Sequence, residues 1–240
     1  IAQNLNVTKP APGQPTLLTW DQVNTMFHEF GHALHGLLSN VYYPTQSGTN
    51  VPRDFVEYPS QVNEIWALHP EVVANYAKHY KTGAPIPAEL VAKLKAAEPY
   101  GQIFRTAELV GGMNLDQAWH RLAPDEIPGT SDIENFEHQA IVEAGLFYPP
   151  IPPRYRTTYY SHIWSSGYSA AYYAYLNSEM YDADTEQWYQ ENGGLTRDNG
   201  VRFRREILSR GMTRDPLESF RAFRGRDVEP GPLKTRLGLA

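Results

Sequence analysis

Residues 26–36 of the chain, MFHEFGHALHG, place three histidines and one glutamate in an otherwise apolar, helix-forming stretch. Upstream, Thr19 followed three residues later by Gln22 forms a capping-box pattern, so we expect a helix that begins here and runs to about Ser39. At about 100° per residue its apolar side chains fall on one stripe, which predicts the face that packs in the core. The stripe consists of Val23, Phe27, Phe30, Leu34 and Leu37.

The histidines form a second stripe beside the apolar one. His28 and His32 are one turn apart, so their imidazoles can bind one cation, and Glu29 follows His28 on the far side of the stripe. This is the H-E-x-x-H pattern, in which the histidines bind Zn²⁺ and the glutamate is a general base. The alternative is an ordinary solvated helix face. Because a glycine costs a helix about 1 kcal/mol, we expect Gly31 to leave room for the close approach of another segment.

A catalytic zinc site needs a third protein ligand, and three residues are candidates. His35 lies about 10 Å from His28 along the helix axis, too far to share a metal with it. We expect His35 to orient a ligand, to face the substrate, or to have a plain polar role. Glu57 and Glu64 share one face of the next helical segment with Gln61. The simplest assignment puts Glu57 nearer the metal with Gln61 or Glu64 behind it, although spacing alone does not separate the two glutamates from each other or from an ordinary polar face.

Composition argues against several classes of partner. The formal net charge is −6 and no run of Lys or Arg is present, so we expect no nucleic acid and no anionic membrane as a partner. No apolar run approaches the roughly 20 residues of a membrane-spanning helix. Cysteine is absent, which leaves His, Asp and Glu as the strong metal ligands. Peptides and small molecules remain as partners.

The rest of the chain predicts an all-α fold, because helical patterns alternate with prolines and glycines. These patterns cover residues 55–69, 71–82, 87–97, 100–122, 131–145, 196–211 and 216–225. The aromatic segment 154–181 is predicted to form two helices, or one helix bent at Ser165, Ser166 and Gly167. The connection 41–51 is expected to hold at most a short β element.

Tyrosines recur at helical spacing within the aromatic segment. Tyr168, Tyr172 and Tyr175 are expected to share one helix face, with His162 a short distance upstream. A phenol or imidazole beside a metal can donate to the oxyanion of a tetrahedral intermediate, and loss of one such donor costs on the order of 3 kcal/mol. The alternative is an aromatic stripe that packs in a core or a groove.

Several stretches resemble the thimet oligopeptidase family of zinc metallopeptidases. They are FHEFGHALHG at 27–36, SGTN at 47–50 and DFVEYPSQVNE at 54–64. TKPAPGQP, PPRYR and GGLTRDNGVRFRREILSRG further resemble the bacterial peptidyl-dipeptidase branch of that family. The resemblance covers essentially the whole chain. It implies one Zn²⁺ per chain, held by His28, His32 and Glu57, with Glu29 as the general base.

The same resemblance implies roles for the aromatic segment. His162, Tyr168 and Tyr175 are expected at the active site, with Tyr172 close by as a substrate-binding residue. Family members differ by one residue between the histidine and the Gly-Tyr pair, so His162 is carried over less directly than the tyrosines. The triplet SSG at 165–167 replaces a more usual glycine-rich run, which would make this turn stiffer.

Residues 1–240 would then be the C-terminal, zinc-bearing portion of a longer metallopeptidase, an all-α zincin-type catalytic lobe. The start, IAQNLNVTKPAPGQP, has no initiator methionine, and we expect a missing N-terminal lobe of the same protein as a partner. A cytoplasmic location is expected, and a periplasmic one is compatible with the sequence.

The implied activity is hydrolysis of short unstructured peptides with release of C-terminal dipeptides. Arg154 or Arg156 is expected to bind the terminal carboxylate of the substrate. One alternative is internal cleavage of short peptides, as by an oligoendopeptidase of the same family. An alternative of another class is a zinc-binding helical fragment that is inactive without its N-terminal lobe.

Overall fold

The computed structural model describes residues 1–239 and is built almost entirely of helices. In chain order these are α1 (Trp20–Leu37), α2 (Arg53–Val56), α3 (Tyr58–Glu64), α4 (Pro70–Tyr76), α5 (Ala88–Ala97) and α6 (Gln102–His120). They are followed by α7 (Ile133–Glu143), α8 (Ser161–Trp164), α9 (Ala174–Glu191), α10 (Arg197–Phe203), α11 (Pro216–Arg224) and α12 (Gly231–Arg236).

The prediction of an all-α fold is confirmed. Across residues 1–239 the β structure amounts to an isolated bridge between Lys78 and Pro85. This bridge turns the chain back, so the helix expected at 71–82 ends at Tyr76. The connection 41–51, for which the sequence predicts at most a short β element, contains a 3₁₀ turn at Pro44–Gln46 instead. No helix in the described part of the chain is long and apolar enough to span a membrane.

The chain divides into two compact units. The first unit contains Ile1–Glu98 together with the chain from Ser178 onward, and the second contains Pro99–Asn177. The first unit has an aromatic core to which α2, α3, α9, α10 and α11 contribute. Its buried members are Phe55, Tyr58, Val62, Tyr181, Trp188, Tyr189, Phe203, Ile207, Leu208, Phe220 and Phe223.

The predicted capping box at the start of α1 is confirmed. The Thr19 side chain accepts from the Gln22 backbone N–H at 3.2 Å, and the Gln22 side chain accepts from the Thr19 N–H at 3.0 Å. Two of the N–H groups that a helix start leaves unpaired are thereby satisfied.

The predicted core face of α1 is wrong. Phe30 and Leu37 are 47% and 61% exposed, whereas Gly31, Ala33 and His35 are buried. The physical reason is the glycine: a Cβ at position 31 would lie 2.6 Å from the Cα of Ser60 in α3. Two helix backbones approach this closely only where a side chain is missing, so α1 packs on its glycine face instead of its phenylalanine stripe. The room expected at Gly31 is therefore present and filled by α3.

The helical segment expected at 55–69 is divided at Glu57. Helix α2 ends at Val56, α3 starts at Tyr58, and Glu57 is the residue between them. Pro59 occupies the second position of α3, where the absence of its N–H costs no helical hydrogen bond.

The second unit contains α6, α7 and α8. Its core is formed by Met113, Tyr160, Ile163 and Tyr172. The aromatic segment is interrupted, as predicted, at residues 165–167, between α8 and the start of α9 at Ala174.

Ion pairs hold the C-terminal part of the first unit against α9. The buried Asp184 of α9 accepts from Arg224 at 2.7 Å, from Arg226 at 2.6 Å and from the backbone N–H of Glu229 at 3.1 Å. Helix α11 ends at Arg224 and is capped by Gly225, with φ of 90°, as the glycine at this position predicts. Helix α12 was not predicted, because its six residues are too few for an apolar periodicity.

Candidate metal centre

Helix α1 places His28 and His32 side by side. Their ring centroids are 4.9 Å apart, and both Nε2 atoms point at the same oxygen, Oε2 of Glu57. The distances to this oxygen are 3.1 Å from His28 and 3.2 Å from His32. The i, i+4 spacing thus brings the two imidazoles together as predicted, and a carboxylate 29 residues after His28 completes the cluster.

Glu57 is held in place by the core beside it. Phe55 and Tyr58 on either side are buried, and the Tyr58 hydroxyl pairs with Oγ1 of Thr185 at 2.7 Å. Ser60 donates to the Glu57 backbone carbonyl at 2.7 Å. Glu57 itself is only 3% exposed, so its carboxylate is fixed against α1 with little freedom to move.

These three side chains fit a zinc ion. One ligand atom from each of His28, His32 and Glu57 lies within 4.8 Å of the other two. Zinc takes nitrogen and oxygen ligands at about 2.0–2.2 Å, so ligand atoms at tetrahedral angles are separated by roughly 3.3 Å. The two nitrogen-to-oxygen distances are close to that separation. Two histidines and one carboxylate are also a donor set that catalytic zinc sites use.

Glu64 supports His28 from the other side of the ring. Its Oε1 lies 2.6 Å from Nδ1 of His28, and its Oε2 accepts from the side-chain amide of Asn24 at 2.5 Å. A carboxylate on Nδ1 fixes the orientation of the ring and leaves Nε2 for a metal. The structure therefore separates the two glutamates that spacing left equivalent: Glu57 faces Nε2 and Glu64 faces Nδ1.

The two carboxylates also set the charge of His28. Burial alone would lower the pKa of its imidazole, but the hydrogen bonds to Glu57 and Glu64 outweigh burial and raise that pKa from 6.5 to about 10. The metal-free ring is thus protonated at neutral pH. A metal must displace this proton, because only the neutral imidazole can ligate.

Asn24 was missed by the sequence argument. It lies one turn before His28 on the same stripe of α1, and this i−4 position was the available signal.

His35 lies outside the metal cluster, as expected, but the structure does not support the other roles expected for it. The side chain is fully buried, and neither ring nitrogen has a hydrogen-bond partner among the described residues. Burial, followed by the charge of His32, lowers the pKa of His35 to about 4, so the ring is neutral. A fully buried ring without hydrogen bonds neither faces a substrate nor orients a ligand.

Glu29 lies in α1 between the two histidines and is partly exposed. It is therefore accessible to water, as a general base must be.

The second unit contains the other predicted site residues in one aromatic cluster. The rings of Tyr168 and Tyr175 stack with centroids 5.3 Å apart and planes 18° apart. His162 lies 6.1 Å from Tyr168, 5.4 Å from Tyr172 and 6.1 Å from Tyr175, again between ring centroids. The structure thus brings all four residues together.

The reason for this grouping differs from the predicted one. Residues 169–173 form a turn instead of a helix, and α9 begins only at Ala174. Tyr168, Tyr172 and Tyr175 therefore meet across a turn, not along one helix face. Tyr172 is buried, and burial, together with its neighbour Tyr155, raises the pKa of its phenol, which therefore keeps its proton.

The two arginines occupy different surroundings within the second unit. The guanidinium of Arg154 lies over the ring of Tyr155, 5.6 Å from its centroid, and Tyr155 in turn contacts Tyr172. Arg156 pairs through Nε with the buried carboxylate of Glu137. Of the two, Arg154 is next to the aromatic cluster, whereas Arg156 has one side of its guanidinium occupied by Glu137.

Two histidines one helical turn apart, together with a glutamate at the junction of α2 and α3, define the class of the chain: an all-helical H-E-x-x-H protein. The sequence profile of peptidase family M3 matches residues 1–239. The chain belongs to this family.

Individual relatives agree with the family assignment. The chain is similar to the dipeptidyl carboxypeptidase of Escherichia coli, 49% identical over 234 residues, and to that of Salmonella typhimurium, 47% identical over 234 residues. It is also 36% identical over 237 residues to oligopeptidase A of E. coli. Each alignment covers 98% of this chain but 34% of the relative, so the chain spans about a third of the length of these proteins.

Proposed function

We propose that the chain carries the zinc site of a metallopeptidase that hydrolyses short unstructured peptides. The observation that carries this proposal is the convergence of the Nε2 atoms of His28 and His32 on one oxygen of Glu57, at 3.1 and 3.2 Å. In this proposal the three side chains hold one Zn²⁺.

A zinc ion held by these residues would supply Lewis-acid chemistry at the scissile carbonyl and at a water molecule. The proposed role of Glu29 is to accept a proton from the attacking water and to deliver it to the leaving amine. Glu64 keeps the ring of His28 oriented throughout. Tyr168 and Tyr175, with His162, are the proposed donors to the oxyanion, and Arg154 is the proposed contact to the peptide, with the buried Tyr172 packed behind them.

The experiment that tests this proposal compares the wild-type protein with Glu29→Gln. An enzyme of this kind loses hydrolysis in the variant while its zinc content stays at one ion per chain. Full activity of the Glu29→Gln variant would contradict the mechanism.

Within this chemistry we propose release of C-terminal dipeptides. Two relatives are named dipeptidyl carboxypeptidases, and a guanidinium such as that of Arg154 suits a terminal carboxylate. Peptides with a free or an amidated C-terminus separate this specificity from internal cleavage, the activity of an oligoendopeptidase. A strong preference for the free carboxylate supports the dipeptidase. Equal rates favour the oligoendopeptidase, which is the alternative suggested by the similarity to oligopeptidase A.

A candidate of another class is a zinc-binding helical piece in which the metal only joins α1 to α3. It is favoured by one fact, namely that the chain matches only 34% of its relatives. Under this alternative an upstream lobe of the same protein is the partner required for activity. Residues 1–240 that bind zinc but hydrolyse no peptide, next to a longer form that does, would establish it.

A further inference from the structure

A turn in the second unit has an unusual backbone. Among residues 1–239, Ala170 is the one non-glycine residue with a positive φ, at 54°. An L-residue with a Cβ rarely adopts this left-handed conformation unless its surroundings impose it. The turn lies between Tyr168 and Tyr172, so its conformation determines how the rings on its two sides face each other.

Asp116 of α6 holds this turn. Its side chain is fully buried, and each carboxylate oxygen accepts one backbone N–H: Oδ1 from Ala170 and Oδ2 from Tyr172, both at 2.9 Å. His120, one helical turn along α6, lies with Nδ1 2.8 Å from Oδ1. Gln117, the residue directly after Asp116, donates its side-chain amide to the carbonyl of Ala170 at 2.9 Å. Both the N–H and the C=O of the strained residue are therefore bound by α6.

The surface of α6 is also shaped for the turn. Gly112 lies one turn before Asp116, and a Cβ there would come within 3.4 Å of the Tyr172 ring and 3.1 Å of the Tyr160 hydroxyl. The missing side chain at Gly112 lets the Tyr172 ring lie against the helix while Asp116 binds its backbone.

We propose that Asp116 is a positioning residue for the tyrosines. By fixing Ala170 in the left-handed conformation, it holds Tyr168 in register with Tyr175, whose ring stacks on it across the turn. Asp116 acts through these phenols and does not touch the substrate. This inference rests on the proposed function, in which Tyr168 donates to the oxyanion.

A double-mutant cycle tests the role. In the full-length protein, Asp116→Asn replaces one acceptor by an amide that cannot accept the facing N–H. A displacement of about 1 Å costs on the order of 100-fold in rate, so we expect a kcat loss of that order with Tyr168 present. Tyr168→Phe is itself expected to lower kcat. In this background, Asp116→Asn should lower kcat by less than a further factor of about three. Equal losses in the two backgrounds would mean that Asp116 is merely structural, and would overturn the proposal.

A matched control uses the other buried aspartate that binds a backbone N–H, Asp184 of the first unit. Asp184→Asn combined with Tyr168→Phe should give additive losses, because the partners of Asp184 are Arg224, Arg226 and Glu229. Coupling as strong as that of Asp116 would show that any buried aspartate produces the effect, which also overturns the proposal.

Hydrogen exchange supplies a readout independent of activity. In Asp116→Asn the amides of Ala170 and Tyr172 should lose protection while those of α6 keep it; unchanged protection overturns the proposal. If Asp116→Asn does not fold, Gln117→Ala, which removes a partly exposed contact to the same peptide, is measured in its place. A wild-type protein that hydrolyses no peptide, or a fully active Tyr168→Phe, would instead reject the proposed function and its oxyanion donors.

Discussion

The substitution Gly31→Ala should damage both the fold and the metal centre. The added Cβ would lie 2.6 Å from the Cα of Ser60, 2.9 Å from the Cβ of Asn63 and 3.0 Å from the carbonyl oxygen of Pro59. Carbon atoms reach favourable contact at about 3.5–4.0 Å, so α3 has to retreat by roughly 1 Å. Two of the three obstacles are backbone atoms, which cannot rotate away.

The magnitude follows from two opposing effects. Overpacking of this kind costs about 1–3 kcal/mol, and here the upper end applies because the backbone must move. The gain in helix propensity from glycine to alanine offsets about 1 kcal/mol. A net loss of about 2 kcal/mol lowers the melting temperature of a chain of this size by roughly 4–8 °C.

The loss of metal affinity should be the more specific effect. Glu57 directly precedes α3, so a retreat of α3 carries its carboxylate away from His28 and His32. Metal sites tolerate deviations of only about 0.2 Å in ligand distances, and we expect zinc affinity to fall by more than about tenfold.

The assay is thermal unfolding of the metal-free protein together with calorimetric titration by Zn²⁺. Gly200→Ala is the matched control, since Gly200 lies within α10 and a Cβ there meets no atom within 4 Å. This control should keep its zinc affinity and gain up to about 1 kcal/mol of stability. A Gly31→Ala protein as stable and as zinc-binding as Gly200→Ala would refute the argument that the glycine sets the distance between α1 and α3.

Three further outcomes are expected. Glu29→Gln should lower kcat by about 100-fold or more at unchanged zinc content, measured by peptide hydrolysis and elemental analysis, because it removes the base but no ligand; loss of zinc would contradict this. Glu64→Gln should weaken zinc binding about 10–100-fold in calorimetry, whereas Glu89→Gln at an exposed position of α5 should not; equal affinities would exclude the orienting role. Burial depresses the folded-state pKa of His35 to about 4, whereas the unfolded chain takes up this proton below its pKa of 6.5. The free energy of unfolding should therefore keep its full value above pH 6.5 and lose about 3 kcal/mol as pH falls from 6.5 through 4. Urea unfolding at several pH values should therefore show less acid destabilisation for His35→Leu than for wild type, and identical pH dependence would refute the buried neutral histidine.

The local half of the metal site could be predicted from the sequence. His28 and His32 are related by helix periodicity alone, and the energetic cost of Gly31 indicated a close approach. The choice between Glu57 and Glu64 required the tertiary structure. The helix is interrupted at Glu57, and the two carboxylates contact the two different nitrogens of the His28 ring.

Two predictions from periodicity are wrong for the same physical reason. The stripe containing Phe30 predicted the core face of α1, but packing follows the narrowest side of the helix, at Gly31. Periodicity places the tyrosines on one helix face, but the backbone N–H groups of Ala170 and Tyr172 donate to the buried Asp116, and these bonds stabilise a turn there instead. In both cases a contact between residues far apart in the sequence outweighs the local pattern. Such a contact cannot be read from the periodicity of a single sequence.

The position of His28 between Glu57 and Glu64 has a consequence for zinc uptake. In the metal-free protein the two carboxylates raise the pKa of the ring, so the ring carries a proton that a metal ion would have to displace. Zinc should therefore bind more tightly as pH rises, with a proton released to solvent for each ion bound.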